Sequence, residues 1–232
     1  LNCDFDWYDF VQMFDNLRKC FMRRSFKFFS FWLLLLGTVT VIFNSCGNFL
    51  KNKSTYDEGV IINDVKWATC NVDKPGRFTA KPEDAGMFYQ WNKKKAWSAK
   101  KRFVKGWDDT LPKDTEWIKA NDPSPKGWRV PTFDEIKTLF DTNKVSHEWT
   151  TINGVNGRKF TDKTSGNILF LPAIGCRDYH DGTLYDAGTY GSYWSSMRNG
   201  SYGVYELSFG STAAGWYRHN WSFGFGVRAV AK

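Results

Sequence analysis

The chain of 232 residues is 42% hydrophobic and 18% aromatic, which suits one domain of ordinary size or two small ones and excludes a chain without a core. Its twelve Trp and ten Tyr exceed what a core needs, so some of them are expected at a recognition surface. The formal net charge of +8 favours polyanions or an anionic membrane surface, and names no partner.

From Met22 the chain reads MRRSFKFFSFWLLLLGTVTVIFNSCGN. Arg23, Arg24 and Lys27 precede an apolar run at 28–43, and small residues follow it up to Cys46. The run is short for a membrane span. It resembles a bacterial lipoprotein signal, cleaved at Ser45-Cys46 and lipidated on Cys46; a plain signal peptide and a single-span anchor are the alternatives. Residues 1–21 then read as an over-extended translation start, 22–45 as the signal peptide, 46–59 as a polar tether and 60–232 as the domain. In the exported chain Cys70 and Cys176 are either a disulfide or two separate buried thiols.

The domain opens on VIINDVKWATCNV, two short β-rich pieces around a turn at Asn63-Asp64. In TAKPEDAGMFYQW, Pro82, the acids Glu83 and Asp84, and then Met87, Phe88 and Trp91 predict a short helix. Residues 92–127 are charged and punctuated by Pro and Gly, as in a long loop. VPTFDEIKTLFDT predicts a second helix: Thr132 and Glu135 make a capping box, and Phe133, Ile136, Leu139 and Phe140 share one face. Short strands follow in HEWTTING, GRKFTD, NILFLPAIG, GSYWSS, VYELSF and GFGVRAVA. Two helices among many short strands make the expected class α+β, mainly β.

VKWATCNV, KPEDAG, GWRVPTFDEIKTLF, WTTINGVNG, ILFLPAIGCRD, DAGTYGSYWSS and the terminal GVRAV occur in an order and spacing similar to the Fibrobacter succinogenes major paralogous domain family of Bacteroidetes-type lipoproteins. The resemblance covers residues 60–232 and implies a C-type-lectin-like domain whose C-terminal strands and loops form the ligand face. The final segment is also similar in layout to the variable proteins of diversity-generating retroelements, although Trp221 stands where these often carry Arg.

In VYELSF, alternation places Tyr205, Leu207 and Phe209 on one face and Val204, Glu206 and Ser208 on the other. Between this run and GFGVRAVA, the segment STAAGWYRHNWS fits neither period, so some of its large side chains must face outward. Tyr and Trp give rigid contact area, while Ser, Gly and Asn adapt. The expected ligand contacts are Tyr202, Trp216, Tyr217, Arg218, His219, Asn220 and Trp221, with Arg228 orienting the loop. A noncovalent glycan or protein ligand is expected, on an outer membrane lipoprotein facing the periplasm or the cell surface. A structural or adhesin-like envelope component recognising a partner protein is the alternative.

WNKKKAWSAKKRFVKGW, residues 91–107, interleaves basic and aromatic residues. Nucleic acid is not expected of an exported lipoprotein, which leaves a solvated insertion or a patch for an anionic glycan or lipid surface. Asp178, Asp181 and Asp186 near His180 suggest a turn-rich loop before a calcium site. His147, His180 and His219 are scattered, with neither metal-ligand spacing nor a nucleophile elbow around Ser195 and Ser196. No enzyme activity, metal or cofactor is expected.

Overall fold

The computed structural model describes residues 56–110, 112, 114–198, 200 and 203–232. The signal-like segment with Cys46, and Tyr202, lie outside the described residues.

Two-residue turns set the first hairpins. β1 (Val60–Ile62) and β2 (Val65–Trp67) pair across Asn63-Asp64, whose φ angles of 46° and 65° suit the left-handed backbone that Asn and Asp tolerate. β6 (Val145–Ile152) and β7 (Val155–Asp162) pair over their full lengths across Asn153-Gly154, and β8 (Ile168–Pro172) completes that sheet.

The chain's last residues become the middle of two other sheets. β14 (Gly224–Phe225) lies between β9 (Cys176–Arg177) and β3 (Met87–Gln90), with β10 (Leu184–Tyr185) and β4 (Ala96–Ser98) on the flanks. β15 (Val230–Ala231) lies between β2 and β5 (Trp128–Arg129). Between them the Ala68 and Val72 amides donate to the Ala229 and Val227 carbonyls at 2.8 and 3.0 Å. Phe225, Val227, Ala229 and Val230 are accordingly buried, as are Trp67, Trp91 and Trp194. A fourth sheet, in the order β11 (Gly191–Arg198), β12 (Val204–Phe209), β13 (Ala214–His219), carries the candidate site.

Among the described residues there is one α-helix, α1 (Phe133–Thr138), and one 3-10 turn, Lys119–Asn121. The capping box at α1 is formed as its residues predict: Thr132 Oγ1 accepts the Glu135 amide at 3.2 Å, and Glu135 Oε2 accepts the Thr132 amide at 2.7 Å. The helix expected around Pro82–Trp91 is a strand, β3. Gly86 has φ 72°, and a Cβ there would come within 2.5 Å of the Val72 carbonyl oxygen, so the chain passes flat against its neighbour where a helix cannot start. β3 is then covered on both faces; Phe88, Tyr89 and Gln90 are all buried, and an apolar run without alternation imitates a helix. The α+β, C-type-lectin-like class with two short helices is therefore corrected to a nearly all-β arrangement of four small sheets, for which mainly β holds.

A candidate ligand-binding edge

The segment STAAGWYRHNWS is not a free loop. After a turn closed by Gly210 N–H on the Ala213 carbonyl at 2.9 Å, residues Ala214–His219 extend as β13 along β12. β13 is the outermost strand of its sheet, and no described strand pairs with its outer edge. The register sets Trp216 opposite Leu207, Tyr217 opposite Glu206, and Arg218 opposite Tyr205. Directly opposed residues share a face, so Trp216 and Arg218 lie on the α1 side and Tyr217 and His219 on the other.

On the α1 side the aromatic rings form a ledge. Phe133 stacks on Tyr205 with centroids 3.7 Å apart and planes at 4°, and Trp216 meets Phe133 edge-on at 5.1 Å. The Arg129 guanidinium grips Glu135 with both fork nitrogens, at 2.8 and 2.5 Å. Together with the capping box, this fork fixes the first turn of α1 and hence Phe133. Trp216 remains 46% exposed.

The opposite face is polar at its centre. Tyr217 is also 46% exposed, but Glu206 across from it is only 1% exposed. Burial holds the Glu206 carboxyl well above the usual carboxylate range; the Ser208 and Ser192 hydroxyls pull weakly the other way. Burial likewise lowers the His219 imidazole from its ordinary value. His219 Nε2 lies 3.2 Å from Glu206 Oε1, a spacing that suits an ion pair. Burial disfavours the charged form of each group, while their close spacing favours the two being charged together. Glu206 Oε2 makes no hydrogen bond. The His219 ring packs edge-on against Phe223 and Phe225 at 5.2 and 5.8 Å.

The remaining expected contacts serve the fold more than the surface. Asn220 Oδ1 accepts the Ser222 amide at 2.8 Å, a turn at the exit of β13. Trp221 is half-buried; its carbonyl accepts the Trp91 amide at 3.1 Å and Arg198 lies 5.4 Å over its ring. Arg228 is fully buried and does not reach β13. It donates to Asn71 Oδ1 at 2.9 Å and to the carbonyls of Ala68, Thr69 and Pro82, tying the C-terminus to the N-terminal strands. The edge thus carries Trp216 and Arg218 in the open on one face and Tyr217 in the open on the other, where His219 is half-buried.

Sequence reasoning missed Phe133, Tyr205 and Glu206. The first two lie on predicted core faces, and only the position of Phe133 directly after the helix cap hints that it sits at an exposed corner. Nothing local marks Glu206 as buried, because its cover, Phe223 to Phe225, arrives from another part of the chain.

The other candidates separate. Cys70 and Cys176 are both free thiols; burial raises Cys70 and, with Asp186, Glu206 and Asp178 nearby, pushes Cys176 up to about 12. His147 lies among Phe140 and Phe160, and His180 against Tyr179. Asp178 and Asp181 each accept a backbone amide two residues on, from His180 and Thr183, at 2.8 Å. Among the described residues no group of three or more His, Cys, Asp or Glu side chains could hold a metal ion. No described helix is long and apolar enough to cross a membrane.

Residues 143–230 match the model of a family described as a domain of unknown function, DUF8237. That span contains the whole β11–β13 sheet and all of its cover from β14. No curated protein and no solved structure matches the chain.

Proposed function

We propose that this chain is a membrane-anchored lipoprotein, held through Cys46, whose β domain binds a glycan noncovalently along β13. The observation that carries the reading is the ledge itself. An exposed Trp216 is held edge-on over the stacked Phe133–Tyr205 pair, with Arg218 exposed on the same face and Tyr217 exposed on the other. Flat aromatic faces at fixed positions stack on the apolar face of a sugar ring at little cost in side-chain entropy, and a guanidinium supplies directed hydrogen bonds to hydroxyls. The resemblance of the N-terminal segment to a lipoprotein signal supports an envelope location, periplasm-facing or at the cell surface. No chemical step is assigned to the site.

The test is a glycan array probed with the parent chain and with Trp216→Ala/Tyr217→Ala. Both rings are half exposed, so the double variant is expected to unfold cooperatively like the parent and to lose its bound glycans. A variant that keeps the parent's binding pattern places the site elsewhere.

A protein ligand is the second reading, for a structural or adhesin-like envelope component. It is favoured by the outer edge of β13, which no described strand pairs with and whose amides and carbonyls are a template for an added strand. A blank array beside a co-purifying protein that the double variant loses is the result this reading expects.

A further inference from the structure

Between Asp84 and Asp108 the chain carries seven Lys and Arg and neither Asp nor Glu. The second half of that stretch, residues 99–107, is a strap fastened repeatedly to the domain. The fully buried Arg177 guanidinium donates to the carbonyls of Ser98 and Lys101, at 3.1 and 2.7 Å. The Leu184 amide donates to the Arg102 carbonyl at 2.8 Å. Val104 packs inward, and the Trp107 indole donates to the Tyr179 carbonyl at 3.1 Å beside the Trp97 ring.

Phe103 sits between two of these fastenings and is nevertheless 65% exposed. Its backbone neighbours are fastened, so the ring is held outward, with the Arg102 guanidinium 5.4 Å from its centre. Lys100, Lys101, Arg102 and Lys105 beside it in sequence, and Lys94 in the turn before β4, are all exposed. None of these five forms an ion pair with a described residue. Of the stretch, Lys93 is paired to Asp108 at 2.7 Å, and Lys95 caps the Gly106 carbonyl at 3.2 Å while lying over Trp97. The carboxylates of the loop packed against the strap, Asp178 and Asp181, are turned to backbone amides.

We propose that this strap is a second interaction surface, one that docks the domain on an anionic lipid bilayer, with Phe103 entering the headgroup region and the five exposed cations meeting lipid phosphates. A solvated loop has no use for an apolar ring fixed in the open. A polyanionic glycan satisfies the cations but offers little to a phenyl ring without a polar group. An anionic interface satisfies both at once. The surface is separate from β13 and acts whether or not Cys46 is lipidated.

The experiment is co-sedimentation of the full chain with phosphatidylcholine vesicles, with and without phosphatidylglycerol. The apolar run at 28–43 and its flanking Arg23, Arg24 and Lys27 are kept in every variant, so the change in preference between parent and variant reads the strap. The parent is expected to prefer the phosphatidylglycerol vesicles. Lys100→Gln/Lys101→Gln/Lys105→Gln is expected to lose roughly a hundredfold of that preference. Phe103→Ser is expected to lose about tenfold on the same vesicles. All four side chains are exposed, so thermal unfolding of these variants is expected to match the parent, and Trp216→Ala/Tyr217→Ala is expected to keep full vesicle binding. Equal binding of the parent to both vesicle types overturns the proposal. So does an unchanged preference in the triple variant, or binding to heparin fragments that Phe103→Ser leaves intact while vesicles are ignored.

Discussion

β12 and β13 are adjacent strands of equal length, paired residue for residue from Val204↔His219 to Phe209↔Ala214, yet only one belongs to the core. In β12 five of six residues are buried; in β13 none is, although it holds Trp216 and Tyr217. Composition does not explain this, since β12 carries a Glu and two Ser or Tyr hydroxyls where β13 carries two large rings. Position does. β12 is the middle strand, covered by α1 on one face and by Phe223 to Phe225 on the other. β13 is the edge, and its rings overhang where the cover ends. Aromatic area spent on an uncovered edge contributes little to folding, which is why it is read as recognition surface.

The sharpest way to break the comparison is to remove one large ring from each strand. Phe209 is buried against Tyr193 and Trp149, so Phe209→Ala is expected to cost about 3–5 kcal/mol in urea unfolding. Trp216→Ala, from the half-exposed position, is expected to cost about 1 kcal/mol or less with an unchanged m-value. Similar losses at the two positions would make β13 a part of the core and remove the argument for a binding edge.

The same contrast explains what the residues disclosed in advance. Local chemistry was legible: the Asn63-Asp64 turn and the Thr132–Glu135 box depend on side chains within three residues of each other. The outward direction of Trp216 and Tyr217 was legible too, because too many large rings follow one another to be buried together. What failed depended on distant chain. β3 looked helical because both of its faces are buried, so its residues do not alternate. β13 looked like a loop because an edge strand need not alternate. Arg177 ends the short strand β9 and Arg228 lies between β14 and β15, and nothing in the neighbouring residues marks either as buried. Each is buried among backbone carbonyls supplied by segments up to 160 residues away, as in the Arg228 bond to Ala68.

A subtler probe addresses the one acid buried under β13. The folded pKa of Glu206 lies above its unfolded value of 4.5, so the folded state keeps a proton that the unfolded state releases. Stability from this group is present below pH 4.5 and is lost as pH rises through the folded value. His219 acts in the opposite sense. Its folded pKa lies under 6.5, so the unfolded state takes up the proton first and stability is lost as pH falls below 6.5. Each limb is limited to about 1.4 kcal/mol per pH unit, the slope of a single proton. Glu206→Gln is expected to abolish the alkaline limb and keep the acidic one, so the variant gains on the parent as pH rises. Parallel stability profiles for parent and variant from acid to pH 9 would show Glu206 to be ionised and satisfied in the fold.

The smallest effect bears most directly on recognition. Trp216 can present a fixed face to a ligand only if the ledge restrains it, and its edge-on contacts are with Phe133 at 5.1 Å and Tyr205 at 6.3 Å. A double-mutant cycle between Phe133→Leu and Trp216→Ala is expected to give a coupling of about 0.5–1.5 kcal/mol, the range for an edge-to-face pair. The leucine keeps most of the apolar bulk on Tyr205, so the cycle isolates the ring-to-ring term. A coupling near zero means that Trp216 turns freely above the ledge. The edge would then have to order that ring on binding, at a further cost of about 0.5–1.5 kcal/mol in side-chain entropy, and the case for a preformed sugar platform would pass to the strand-pairing reading.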